Sequence, residues 1–336
     1  MKHLYKAIGL FLLFIASVLF FGRMIPEISV ATTVATSMQH STFPLVHLQI
    51  GEYTINTLHG YSSEIGSEKI RESITPIDAK KKFTVKIEQN ESRIKKLDYQ
   101  LRDIPNRKNL EEDSLTAFDT KDPYRTAVIK FQSALESSRE YGLQITLTTN
   151  LSKKIYFYTR IKYYADDYFL KQKIDFIKNF HKATFNKNSD FDITPYLEAN
   201  TNANTSLANV TINSSLDMIT WKKLKPKKIT KPTPMIHEFN IATAAVSLNY
   251  FAQMDTDVGE ETYYVKEYYR VRYADNRIYL LAFNRTMEAF FNPAYVSLQK
   301  SELKIGITTA EDIDILSSES NKKVAFVRNG NLYYYD

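Results

Sequence analysis

Leu143-Gln-Ile-Thr-Leu-Thr-Thr-Asn150-Leu-Ser-Lys-Lys-Ile155-Tyr-Phe-Tyr-Thr-Arg-Ile161 is the stretch that decides the fold class. Leu143, Ile145 and Leu147 alternate with Gln144, Thr146 and Thr148. Ile155, Phe157, Thr159 and Ile161 alternate with Tyr156, Tyr158, Arg160 and Lys162. Every second side chain falls on one face only in an extended chain. Both arms therefore read as strands, and the polar loop 150–154 as the hairpin between them.

Working outward, the alternation returns at 83–88, 94–101, 210–212, 242–251 and 263–273. In the last of these, Val265, Glu267, Tyr269, Val271 and Tyr273 share one face, and Lys266, Tyr268, Arg270 and Arg272 the other. The apolar runs 42–50 and 53–58 flank Gly51-Glu52 and read as a further hairpin. Residues 128–135 read as a strand or turn, 218–221 as a strand, and the polar 103–124 mostly as loop. The period changes at 166–182. There Leu170, Ile174 and Ile177, beside Phe169, Phe176 and Phe180, make a helical apolar stripe, with Asp166 or Asp167 as its N-cap.

Composition agrees with a β-rich chain. The 336 residues hold 23 Tyr and 20 Phe against one Trp, and these rings favour pleated, half-buried surfaces. There is no cysteine, which excludes disulfides, thiolate metal sites and cysteine nucleophiles. The formal charge of +6 is modest for this length.

At the N-terminus, Lys2, His3 and Lys6 precede an uncharged run at 7–22 that Arg23 closes. A helix rises ~1.5 Å per residue, so a bilayer core needs about 20 residues. The run is slightly short, and Tyr5 with snorkelling Lys6 and Arg23 extends it. Arg23-Met-Ile-Pro-Glu27 follows where a cleavage site would need small residues, so an uncleaved anchor is favoured over a cleaved signal peptide. The flanking charges place the N-terminus in the cytoplasm and the bulk outside. The expected protein is a single-pass cell-membrane protein with the bilayer as a partner through residues 7–22.

The expected fold class is mainly β, with an N-terminal transmembrane helix, two β-sandwich-like domains carrying one amphipathic helix, and a propeller-like hairpin at the end. The expected division is a cytoplasmic tip and anchor at 1–23, a stalk at 24–41, a first β-sandwich-like domain at 42–164, a second β-rich domain at 165–316 with helix 166–182, and a hairpin at 317–336.

Three resemblances support this. Leu135-Glu-Ser-Ser-Arg-Glu-Tyr141-Gly-Leu143 resembles the tyrosine corner of fibronectin type III sandwiches, with one residue more between Leu135 and Tyr141. It implies that the Tyr141 hydroxyl bonds back to upstream backbone. Val324-Ala-Phe-Val-Arg-Asn-Gly-Asn-Leu-Tyr-Tyr-Tyr335 is a hairpin in which Val327 faces Leu332 and Phe326 faces Tyr333. It resembles the opening strands of a blade in TolB-like or dipeptidyl-peptidase-like β-propellers. With the 7–22 run, Asn56-Thr-Leu-His-Gly-Tyr61, Ile155-Tyr-Phe-Tyr-Thr-Arg-Ile161 and Glu267-Tyr-Tyr-Arg-Val-Arg-Tyr273, the chain resembles the N-terminal part of large membrane-anchored exported proteins of clostridia-like bacteria. That resemblance implies location and architecture only.

The sequence carries no Gly-x-Ser-x-Gly elbow, His-Glu-x-x-His, P-loop or Gly-x-Gly-x-x-Gly. No enzyme activity, cofactor or metal site is expected. His47 and His59 lie on neighbouring strands without further ligands in view. Asp255-Thr-Asp257-Val-Gly259-Glu-Glu261 looks like half a calcium loop and reads as an acidic hairpin turn. The strongest charge cluster is Trp221-Lys-Lys-Leu-Lys-Pro-Lys-Lys-Ile-Thr-Lys231. Its Lys222, Lys223, Lys225, Lys227, Lys228 and Lys231 are the candidate contact for an anionic polymer, against a solvated connection between strands. The expected role is a membrane-tethered extracytoplasmic binding or scaffold protein, with an envelope polymer or membrane protein as partner and no nucleic acid. The alternative is the non-catalytic front of an exported hydrolase whose enzyme domain lies beyond residue 336.

Overall fold

The computed structural model describes residues 43–121, 123–186, 189–200, 206–256, 259–290, 315–320, 322–328 and 331–335, with 6, 10–11, 13–17 and 20 near the N-terminus. Those N-terminal residues are helical. Among the described residues no helix is long and apolar enough to cross a membrane. The rest of the expected span 7–22, the stalk 24–41 and the turn Asn329-Gly330 lie outside them.

The chain is mainly β. Its first ten strands are β1 (Leu45–Ile50), β2 (Tyr53–Leu58), β3 (Ile74–Ile77), β4 (Lys82–Glu88), β5 (Ile94–Asp103), β6 (Lys108–Leu115), β7 (Asp119–Lys121), β8 (Tyr124–Lys130), β9 (Glu140–Thr149) and β10 (Lys154–Tyr163). They make two five-stranded sheets, ordered β2-β1-β4-β8-β7 and β3-β10-β9-β5-β6. Helix α1 (Leu170–Phe185) follows, then β11 (Asn209–Thr211), the short helix α2 (Leu216–Ile219), β12 (Lys227–Lys228), β13 (Met235–Phe239), β14 (Thr243–Thr256), β15 (Gly259–Ala274) and β16 (Arg277–Ala289). The third sheet runs β11-β16-β15-β14-β12, with β13 also on β14. Strands β17 (Ile315–Ser317), β18 (Val324–Arg328) and β19 (Asn331–Tyr335) form a separate antiparallel sheet.

The alternating pattern builds the core. Val46, Leu48 and Ile50 of β1 and Phe83, Val85 and Ile87 of β4 are buried from one sheet, and Leu97, Tyr99, Leu143, Ile145 and Leu147 from the next. All belong to one buried cluster that continues into Val246, Tyr269 and Phe283 of the third sheet. Each such aliphatic side chain contributes about 1.5–3 kcal/mol on burial. Strands β9 and β10 are buried on both faces because the segment 59–73 crosses their outer side. There Tyr61 bridges to Tyr156, the Ile65 N–H donates to the Tyr158 hydroxyl at 2.9 Å, and Ser67 lies over Gly142. A Cβ at Gly142 would sit 2.6 Å from Ser67 Oγ and 3.0 Å from its Cβ, so a larger residue there would have to displace Ser67.

Asn56 ties the three sheets together. It is fully buried on β2, at a left-handed φ of 50° that asparagine tolerates. Its Nδ2 donates to the Ile74 carbonyl of β3 at 2.7 Å, its Oδ1 accepts from the Ile236 N–H of β13 at 2.8 Å, and its own N–H donates to the Pro234 carbonyl at 2.8 Å. The Tyr141 hydroxyl accepts the Glu136 N–H at 2.8 Å, the upstream bond that a tyrosine corner implies. In the terminal sheet Val327 pairs with Leu332 and Phe326 with Tyr333, as the sequence indicates, and β17 adds a third strand.

Three expectations are corrected. Residues 103–124 are not mostly loop but carry β6 and β7, which hold the outer edges of the two five-stranded sheets. Edge strands this exposed need no regular hydrophobic period; β6 packs only Leu110 and Leu115 on the core, five residues apart, and β7 none. The helix expected at 166–182 spans Leu170–Phe185, and neither Asp166 nor Asp167 is its N-cap. The cap position is Phe169, in the left-handed region, and Asp167 Oδ1 instead accepts the Phe169 N–H at 2.8 Å. Residues 218–221 are not a strand. Ser215 caps α2 by accepting the Met218 N–H, and Trp221 leaves the helix with φ 67°.

Candidate functional site

The lysine segment lies across the C-terminal half of α1. Leu216–Ile219 folds as one capped turn, after which the Lys222 N–H donates to the Asp217 carbonyl at 2.7 Å. The chain then extends, and burial alternates: Lys223, Lys225 and Lys227 are exposed, while Leu224 and Pro226 are half-buried. Leu224 packs on a small cluster of Trp221, Tyr250, Ala252, Met254 and Val265. Strand β12 pairs Lys227 with Gln253 and Lys228 with Ala252, and the Ile229 N–H donates to the Phe251 carbonyl at 2.8 Å. The structure therefore separates the six candidate lysines. Lys223, Lys225, Lys227 and Lys231 face solvent, and Lys222 is half-buried.

Lys228 is exposed as a residue, but its ammonium reaches α1, 4.4 Å from the Phe185 ring centroid and 3.2 Å from His181 Nε2. Burial pulls this ammonium below its ordinary range, and Glu267 opposes that. On the other side of the ring, His181 Nδ1 lies 2.8 Å from Glu267 Oε2.

Glu267 is the centre of this buried group. It sits on the inward face of β15 with no exposed surface. Besides His181, the Tyr250 hydroxyl donates to Oε1 at 2.7 Å and the Tyr269 hydroxyl to Oε2 at 2.6 Å. Burial alone would push the carboxyl up. Attraction to His181 and the three hydrogen bonds outweigh it and hold Glu267 below its usual range. Burial and Glu267 together push both tyrosines well up, which keeps them as donors. Arg285 completes the layer, donating to the Ile219 and Met218 carbonyls at 2.7 and 3.0 Å with its guanidinium 3.4 Å from the Trp221 ring centroid.

Helix α1 adds two cations beside the segment. Lys182 lies in its last turn, exposed, where a cation suits the helix dipole. Lys178 lies one turn earlier, half-buried, 4.7 Å from the Tyr53 ring centroid. Burial is the main cause lowering the Lys178 ammonium, and Lys231 and Lys182 act with it against Asp175 and Glu52. Periodicity hid these two lysines because an isolated helix cannot show which distant segment runs alongside it.

The other candidates lie apart from this group. His47 holds Thr57 Oγ1 at 2.9 Å and faces Glu88 at 3.4 Å. Asp255 is exposed and stands opposite Glu260 in the register of β14 and β15, and Asp257 lies outside the described residues. Among the described residues no three acidic, histidine or cysteine side chains gather to hold a metal ion. A shallow polar trough on the outer face of β14–β16 is lined by Ser247, Asn249, Tyr264, Lys266, Tyr268 and Asn284.

No protein-family model matches this sequence, and no curated protein sequence matches it.

Proposed function

We propose that this chain is a membrane-tethered extracytoplasmic binding or scaffold module. The tether is the 7–22 run, and the two five-stranded sheets are read as a β-sandwich cornered at Tyr141. The observation that carries the reading is how the interior is used. Lys173, Glu267 and Asn56 spend their buried polar groups on joining one element to another, and Arg285 does so with both of its terminal nitrogens. Such bonding makes a rigid body whose available chemistry lies on its surface.

Fractionation of cells expressing the full chain tests this. The reading expects the protein in the membrane pellet after alkaline wash, and cleavage by protease added to intact cells. Full-length protein in washed cytosol, soluble without detergent, would overturn it.

A second reading, the non-catalytic front of an exported hydrolase, draws support from the three-stranded antiparallel sheet β17–β18–β19, since a propeller blade is itself a small antiparallel sheet. An in-frame hydrolase domain after the codon for Asp336 is the expected result, and a stop codon there in the intact gene removes the reading.

A further inference from the structure

We infer that Lys223, Lys225, Lys227 and Lys231, together with Lys178 and Lys182 of α1, form a binding surface for a linear phosphodiester polymer. The inference rests on the extracytoplasmic reading only for where such a polymer would be met.

In the extended segment the exposed lysines occupy alternate positions, with Leu224 and Pro226 turned to the body. Two residues of extended chain advance about 6.6 Å, which sets the backbone interval between Lys225 and Lys227, while Lys223 belongs to the turn that the Leu224 N–H closes on the Trp221 carbonyl at 2.9 Å. Lys178 and Lys182 are four residues apart on one helix, an advance of about 6 Å. Lys231 acts electrostatically on Lys178, and Lys182 acts on both Lys178 and Lys228. The helix pair and the extended segment therefore belong to one basic surface. The fixed backbone maintains the spacing: the Lys228 ammonium is anchored on His181, and the Ile229 N–H on the Phe251 carbonyl.

Several mutually repelling cations on one surface are complemented by an anion whose many charges are joined by covalent bonds. Each phosphate engaged releases counterions without a separate loss of translational freedom. A bilayer surface is the poorer match. Interfacial binding draws on apolar side chains that reach below the headgroups, and Ile229 is the only exposed apolar residue between 222 and 231.

The test measures binding of the full chain, in neutral detergent, to a poly(glycerol phosphate) chain of defined length. Monomeric glycerol phosphate and vesicles containing phosphatidylglycerol are run in parallel. The expected result is polymer binding that weakens with salt by about 0.7–0.9 log units of Kd per log unit of salt for each lysine engaged. The triple variant K223Q/K225Q/K227Q should bind about tenfold more weakly with the salt slope reduced by about two, and K178Q/K182Q about threefold more weakly. Neutralising three exposed lysines elsewhere, Lys95, Lys108 and Lys154, should leave affinity within about twofold, which separates a site from general basicity. Three results would overturn the inference: no polymer binding, equal losses in the site and control variants, or binding to vesicles without binding to polymer. None of them alters the fractionation result, so the two readings fail separately.

Discussion

At its first turn, α1 buries Lys173 against backbone: the ammonium donates to the carbonyls of Tyr168, Asn240 and Ile241 at 2.9, 2.6 and 2.7 Å. Two turns later it buries His181 against side chains, with Glu267, Tyr250 and Tyr269 completing the set. The N-terminal end is the harder place for a cation, because the helix dipole is positive there. Burial brings the Lys173 ammonium down to about 7, with Asp167 opposing. Three acceptors around one nitrogen match the three donors of the charged form. The difference teaches where sensitivity resides. Carbonyls persist whatever residue carries them, so the first lock depends on Lys173 alone. The second depends on four side chains at once.

The largest effect is expected from breaking the second lock at its centre. Glu267→Ala strands three donors in a dry interior and should lower stability by about 4 kcal/mol, read by denaturant titration. Lys173→Met keeps the volume but leaves three carbonyls without a donor, and a loss of about 3 kcal/mol is expected by the same measurement. Tyr250→Phe and Tyr269→Phe should each cost about 1 kcal/mol, and the double variant should depart from their sum because both donate to one carboxylate.

Acid sharpens the contrast. The folded Glu267 carboxyl titrates below its ordinary 4.5, so as pH falls the unfolded chain takes up the proton first. The stability it supplies is full above about 4.5 and is lost as pH drops through the folded value. The gap between wild type and Glu267→Gln should therefore narrow on acidification below about pH 4.5, and a constant gap would count against the assignment. The smallest effect is predicted for Ile241→Ala. This half-exposed side chain can be removed while its carbonyl still holds Lys173, and stability should move by no more than about 0.5 kcal/mol.

Much of the fold was legible because burial leaves a period. The 143–161 alternation became β9 and β10, and the 265–273 alternation placed Glu267 on the inward face of β15. That same strand carried a signal of the buried centre, since a carboxylate on an apolar face needs partners. Lys173 and His181 gave a matching sign by falling in phase with Leu170, Ile174, Ile177 and Phe180. Which partners they would find was not legible, because Glu267 is 86 residues from His181. Strands β6 and β7 were missed because β6 turns only Leu110 and Leu115 to the core, out of alternation, and β7 is exposed throughout. Trp221 was misread because its left-handed backbone follows from a cap and turn rather than from propensity. Of the basic surface, the sequence displayed the lysines of 222–231 as a run, but not that the ammonium of one of them reaches α1 or that two helical lysines join them.

The Asn56 junction bears on the order in which the molecule can be completed. Its acceptor meets the Ile236 N–H across 180 positions of chain. A polypeptide emerging N-terminus first presents β2 long before β13. Until β13 arrives the Asn56 Oδ1 lacks this partner, so the junction of the three sheets is closed by a non-local contact.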